Sequence, residues 1–465
     1  MQIDFHHTVT YVIARLADFS KEEADIIAHC AQYVDDATDS GLVHFYTNSI
    51  EDSKPELGPT YSRISSAHKM LDYRNSKELA NRRVWVPFHF LPSNDQSPKK
   101  KKDLTSKSRQ HNPFFPRLIC RPNSPVAQEM VRRCIEEKIN ISPASETTAS
   151  IHKRQYIKAL CRLGITMHVY ADTWAHQDFA GIMHEMNAFT DIRSGNPEND
   201  KRVKQYQGLN DEHLNSLQLA WKKFSSAVID PIAAKFLGES FPLGHGSALS
   251  YPDLPFLEWG YKKIEKYMPF SEEYLDRDND GFIVRNNTEI FLDAADHMYK
   301  AMLAFKNDNK EVDLVNSGKI PQAQRQKIQT LFKEFTDEDS LKRHQQWVEK
   351  INSDYFTDEK NSDGSAGTLG YQSHHHELDE WRNEVLMHKK TYRSGIFLKD
   401  TINYFKKQMA GIVPESMNIE YQVTYKFPED DRFLDSNWKL FHDALLAHRY
   451  TVLHEILPHE GICAG

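Results

Sequence analysis

His168, Asp172 and His176 recur at every fourth position of one apolar stretch. An α-helix turns by about 400° over four residues, so these three side chains fall within roughly 80° of one another around the axis. Gly164, Ala171 and Ala175 share that side. Small residues there let a second helix come close and leave room for an ion. Two imidazoles and a carboxylate so placed form a chelating ladder for zinc or a similar borderline metal. A polar face with chance histidines is the competing reading, disfavoured because the ligand types fall on the small-residue side.

A second carboxylate comes from the N-terminal region. Ser20 with Glu23 three residues on reads as a capping box. The helix it starts runs through Asp39 and stops at Gly41. With Ala31 as reference, Ile27, Thr38, Ala24, Asp35 and Ala28 lie within about 60° of it. Asp35 is thereby expected in the middle of the buried face, with Asp36 and His29 pointing away. A buried carboxylate needs a compensating charge, either a basic side chain or a metal. Beside the histidine ladder, the metal is favoured.

The remaining candidates are weaker. His89 sits among aromatics and reads as a core histidine, or as a support behind the ligands. His374 to His376 read as a solvated cluster, and His442, His448, His454 and His459 are too spread for one site. Asp276, Asp278 and Asp280 before Gly281 match the opening of a calcium loop. Its twelfth position is Asn287 instead of a bidentate Glu, so calcium binding there is expected to be weak, and a plain acidic turn competes. The sequence holds no dinucleotide fingerprint, Walker loop, nucleophile elbow or His-Glu-x-x-His motif.

The elements that must carry these residues are mainly helical. Apolar periodicity predicts helices over 8–18, 20–39, 65–73, 126–138, 152–179, 211–237, 288–305, 322–334, 341–352, 377–388 and 438–457. Residues 42–61 read as loop or short hairpin, and any strands as short. Residues 93–125, with the basic run Lys99 to Lys102, read as a surface insertion. The charged stretch 306–315 is the expected boundary between a metal-binding domain, 1–305, and a helical accessory region, 306–465.

The opening Met1, His6, Thr8, Val9, Tyr11 and Val12, followed by a helix bearing Asp35 and by His168-x3-Asp172, resembles the zinc-dependent phospholipase C and single-strand nuclease superfamily, in an uncharacterised bacterial branch. The resemblance covers roughly the first 260 residues and rests on spaced ligands. It implies a mainly α, multi-helix bundle with loop insertions, here with a helical C-terminal extension. It also implies two or three zinc ions held by Met1 through its backbone, His6, Asp35, His68, His168, Asp172, His176, and the pair His245 and Asp253. His184 competes for the last role, and His7 and Asp4 for that of His6. Asp172 would bridge two metals, and Asp35 would also orient or deprotonate water. The implied activity is phosphodiester hydrolysis on phospholipid head groups, with a single-strand nuclease or nucleotide phosphodiesterase as the alternative. Members usually begin with Trp exposed by leader cleavage, whereas here Met1 precedes the bulky Gln2, which should protect it from aminopeptidases.

Composition narrows the rest. The 465 residues carry 66 acidic and 58 basic side chains, a net charge of -8, which disfavours bulk attraction to duplex nucleic acid. Hydrophobic residues at 39% suffice for a core. No apolar run is long enough to span a bilayer and no leader is evident, so a cytoplasmic protein, or an effector exported without a cleavable signal, is expected. Five scattered cysteines suit a reduced compartment and offer no thiolate zinc site. The alternative to an enzyme is a metal-stabilised interaction module that docks a protein partner through its C-terminal region.

Overall fold

The Ser20 hydroxyl accepts from the Glu23 N–H at 3.1 Å, and the Glu23 carboxylate accepts from the Ser20 N–H at 2.8 Å. This reciprocal cap starts the helix that carries Asp35. The computed structural model describes residues 1–47, 56–68, 75, 78–94, 115–141, 148–194, 243–248, 250–263, 277–316, 318–356, 369, 380–386, 390–393, 421–428 and 432–463. The helix expected over 211–237, the basic run Lys99 to Lys102 and His374 to His376 lie outside them.

A π-helical turn, Asp4–Val9, runs into α1 (Thr10–Leu16), and α2 spans Lys21–Asp36. The segment expected to be loop or hairpin is the antiparallel pair β1 (Gly41–Tyr46) and β2 (Leu57–Arg63). Then come α3 (Glu78–Phe88), α4 (Phe115–Leu118), α5 (Pro125–Ile139) and α6 (Ala149–Ala175). Strands β3 (Phe189–Ser194), β4 (Glu258–Lys263) and β5 (Ile283–Asn286) form an antiparallel sheet in that order. Helices α7 (Asn287–Lys306), α8 (Gln322–Glu334), α9 (Ser340–Asn352) and α10 (Glu380–Val385) follow. Strands β6 (Lys390–Arg393) and β7 (Tyr421–Lys426) complete a second sheet, ordered β2-β1-β7-β6, in which β1 and β7 run parallel. The short α11 (Arg432–Asp435) leads to α12 (Asn437–Tyr450), extended by a π-helical segment, Thr451–Ile456. Helix predominates, as the periodicity predicts.

Helix α6 is the axis of the molecule, packed by α2, α5, α7 and α12. Every residue from Ala159 to Ala175 on it is buried. The small-residue side has the expected effect: a Cβ at Gly164 would stand 2.4 Å from Ile27 O and 2.7 Å from Cys30 Cβ. Glycine is therefore needed where α2 crosses α6, and that crossing brings Asp35 and His168 into one group.

Three local differences from the sequence reading stand out. Residues 65–68 are not helical, and 69–74 lie outside the described part. Within the expected insertion, Ile119 and Cys120 are fully enclosed and Ser124 caps α5, so 115–125 belong to the packed body. The apolar side chains Ile119 and Val126 bury surface that periodicity over so short a stretch does not reveal. Across the expected boundary at 305/306, Phe5 and Phe291 share one core with Phe332, Trp347 and Ile351. No helix among the described residues is long and apolar enough to cross a membrane.

Candidate metal centre

His168 and Asp172 project from consecutive turns of α6, and His176 ends it. Around them gather three sets of possible ligands: His6, His168 and Asp172; Asp35, His89 and His168; and His176, His245 and Asp253. Within each set the ligand atoms lie within 4.8 Å of one another. Asp172 faces all of them. Its Oδ1 is 2.9 Å from the Met1 amine and 3.2 Å from His6 Nε2. Its Oδ2 is 3.2 Å from His89 Nδ1, 3.3 Å from His168 Nε2 and 3.5 Å from His176 Nδ1. The Met1 amine also approaches Asp253 Oδ1 at 3.1 Å, linking the N-terminus to the third set.

The outward bonds of the rings decide which nitrogens face inward. His168 Nδ1 lies 2.7 Å from Ala31 O, His89 Nε2 3.0 Å from Ser66 O, and His176 Nδ1 2.8 Å from His89 O. A carbonyl only accepts, so each of these nitrogens carries the proton. In the neutral rings that a bound cation requires, the opposite nitrogens present lone pairs. His168 Nε2 and His89 Nδ1 stand 3.2 Å apart, both directed at carboxylates. His176 Nε2 faces Asp253 Oδ1 at 3.4 Å. Lone pairs set against lone pairs and carboxylate oxygens repel unless a cation lies between them, and backbone carbonyls behind imidazoles are the usual support of metal-ligating histidine. Apart from the ion-pair contacts with Asp172, the Met1 amine and His176, neither nitrogen of buried His6 nor Asp253 Oδ1 has a hydrogen-bond partner. The donor set thus fits a metal.

Charge follows the same geometry. Burial opposes the Met1 ammonium, but Asp172, Asp253 and Asp35 outweigh it and push the amine up to about 11. Burial would raise the Asp172 carboxyl, yet His176, the Met1 amine, His168 and His6 hold it well below the usual range. For His6, burial, His168 and the amine together push the imidazole well below its ordinary value. Asp35 differs from its neighbours because its side chain remains 30% exposed. Enclosure by protein still pushes its carboxyl up to about 8, only partly offset by His89.

Of the residues expected at the site, the structure brings together Met1, His6, Asp35, His168, Asp172, His176, His245 and Asp253. Asp35 lies at an open rim, where the helical projection had placed it mid-face. His68 is in none of the three sets; its Nδ1 lies 3.3 Å from Asn75 Oδ1. The segment before it contributes the Ser66 carbonyl, and the imidazole at that place is His89, read from sequence as a core residue or a support behind the ligands. The visible signal for His89 was a polar ring needing partners within an apolar stretch, just beyond Pro87 in α3. Among the competitors, Asp4 pairs with Arg343, His7 meets His344, and His184 caps a short turn at Met186. In the acidic turn, Asp276 lies outside the described residues, while Asp278 and Asp280 both pair with Arg193.

No curated protein and no solved structure matches the chain. A family model described as "Family of unknown function (DUF6765)" matches residues 1–456. With nearly its whole length covered, the chain belongs to that family.

Proposed function

We propose that the chain is a metal-dependent phosphodiester hydrolase, zinc-loaded and phospholipase C-like, that acts on phospholipid head groups. The observation that supports this reading is the set of three imidazoles, each fixed by an outward N–H···O=C bond, whose lone pairs converge with three carboxylates. Asp35, His89 and His168 would hold one ion. Met1 and His6 would hold another with Asp172, and His176, His245 and Asp253 a third, with Asp172 placed to be shared. Zinc in such a cluster supplies Lewis acidity, makes water nucleophilic near neutral pH and stabilises charge on phosphoryl and leaving oxygens.

The protein's own contribution centres on Asp35. Its exposed edge gives a substrate and a water access to the cluster, whereas Asp172 is sealed. Asp35 can orient that water and take its proton as the new P–O bond forms and the bond to the leaving oxygen breaks. An open ligand position suits catalysis better than a closed structural site.

The test is metal content by mass spectrometry on tag-free protein purified without chelator. Two or three zinc per chain, lost in Asp172→Ala, is the expected result. A panel of phosphatidylcholine, single-stranded nucleic acid and a fluorogenic phosphodiester then separates the lipid activity from the nuclease alternative. Absence of bound metal after reconstitution would sink the reading.

A further inference from the structure

Arg343 of α9 lies far from the metal centre in sequence, yet it is fully buried against the first residues of the chain. Its Nε donates to Asp4 Oδ2 at 2.6 Å and its Nη2 to Asp4 Oδ1 at 3.3 Å. The same Nη2 donates to Gln2 Oε1 at 2.6 Å, and Nη1 to the Asp337 carbonyl at 2.5 Å. The side chains of Arg343 and Asp4 are 0% and 2% exposed. A planar fork holding both oxygens of a carboxylate fixes direction as well as distance, which an ammonium would not do. Two further contacts join the same partners. His344 Nε2 meets His7 Nδ1 at 3.0 Å, and Phe5 stacks on Phe332 of α8 with centroids 6.1 Å apart.

Residues 2, 4, 5 and 7 are thus gripped by α8 and α9, while Met1 and His6 between them face Asp172. A free N-terminal segment would lose its conformational freedom on placing an amine between two carboxylates, and the segment's own bonds, Phe5 and His6 N–H to Gln2 O, hold its turn together without fixing where the turn sits. We infer that Arg343 is a positioning residue. It seats the N-terminal segment so that the Met1 amine and His6 can serve one metal, which gives the region after residue 306 a role in the site. The inference deepens the proposed function and rests on it for the metal alone; the seating of the amine stands independently.

The experiment compares the full chain with Arg343→Met, Arg343→Lys and Asp4→Asn. Two quantities are read: zinc per chain, and the rate at which an N-hydroxysuccinimide ester labels the α-amine, followed by peptide mass spectrometry. Expected for Arg343→Met is zinc affinity lower by about tenfold or more at one ion only, the range seen when support behind a ligand is removed. The α-amine should label faster, and Arg343→Lys should restore neither property fully. Full zinc retention with unchanged labelling in Arg343→Met would overturn the inference. Should that variant fail to fold, Asp4→Asn decides by the same two readouts. If the parent chain binds no zinc but Arg343→Met still labels faster, the hydrolase reading falls and the seating role survives.

Discussion

Two kinds of candidate ligand meet at this cluster, and they are held by different means. Asp35, His168 and Asp172 stand on α2 and α6, two helices locked at Gly164 by an approach so close that no Cβ fits. Their directions follow from helical period and backbone packing. His89 and Met1 come from places where regular structure has stopped, and Asp253 from a single 3₁₀ turn, Tyr251–Asp253. There, buried polar side chains provide the rigidity. Asn287 Nδ2 donates to Tyr251 O at 2.6 Å and Leu254 O at 2.8 Å, bracketing Asp253, and its Oδ1 accepts from Trp259 Nε1 at 3.1 Å. Arg285 reaches Trp174 O and Ala175 O at 3.0 and 2.9 Å, tying β5 to the last turn of α6 beside His176. The comparison teaches that a helix positions ligands by shape, and a turn must do so by hydrogen bonds that leave no alternative partner.

The difference can be broken from either side. Gly164→Ala should have the largest effect, because the nearest atom is backbone and cannot swing aside. Overpacking of this kind costs about 3 kcal/mol, read as a lower denaturation midpoint, with the ions of Asp35 and His168 affected first. Asn287→Ala should cost about 2 kcal/mol, since two buried carbonyls lose their donor. Its metal loss should be confined to the set of His176, His245 and Asp253, checked by zinc stoichiometry. Equal loss at all sets would contradict the division between helix-held and turn-held ligands. Ser20→Ala should be mildest, about 1 kcal/mol from the broken cap, with zinc content unchanged. Exchanging His89 and His68 sharpens the point: His89→Ala should release an ion, and His68→Ala should release none.

What could be read in the sequence follows the same division. His168, Asp172 and His176 were legible because a period of four places them on one side, and Gly164 because small residues mark a close crossing. The turn-held residues were not legible in that way. His89 looked like core because its neighbours are apolar, and the Ser66 carbonyl that orients it lies 23 residues away. His245 and Asp253 were placed by resemblance alone, as nothing in their own spacing brings them to His176. Asp35 was projected to the centre of a buried face, but a helical wheel knows only angle and misses that α2 ends near the rim. The packing of 115–125, with Cys120 bonded to Phe179, and of α9 against the N-terminal turn depends on partners far away in the chain, which no local pattern encodes.

The bond between Asp4 and Arg343 spans 339 residues. During synthesis at about 5–20 residues per second, the first residues emerge tens of seconds before their partner exists. The parallel pairing of His44 with Thr424 delays closure of one sheet further still. The N-terminal turn therefore lacks this anchor until Arg343, of 465 residues, has left the ribosome. A nascent or truncated chain, however well its early helices form, lacks the piece that seats its own first residue.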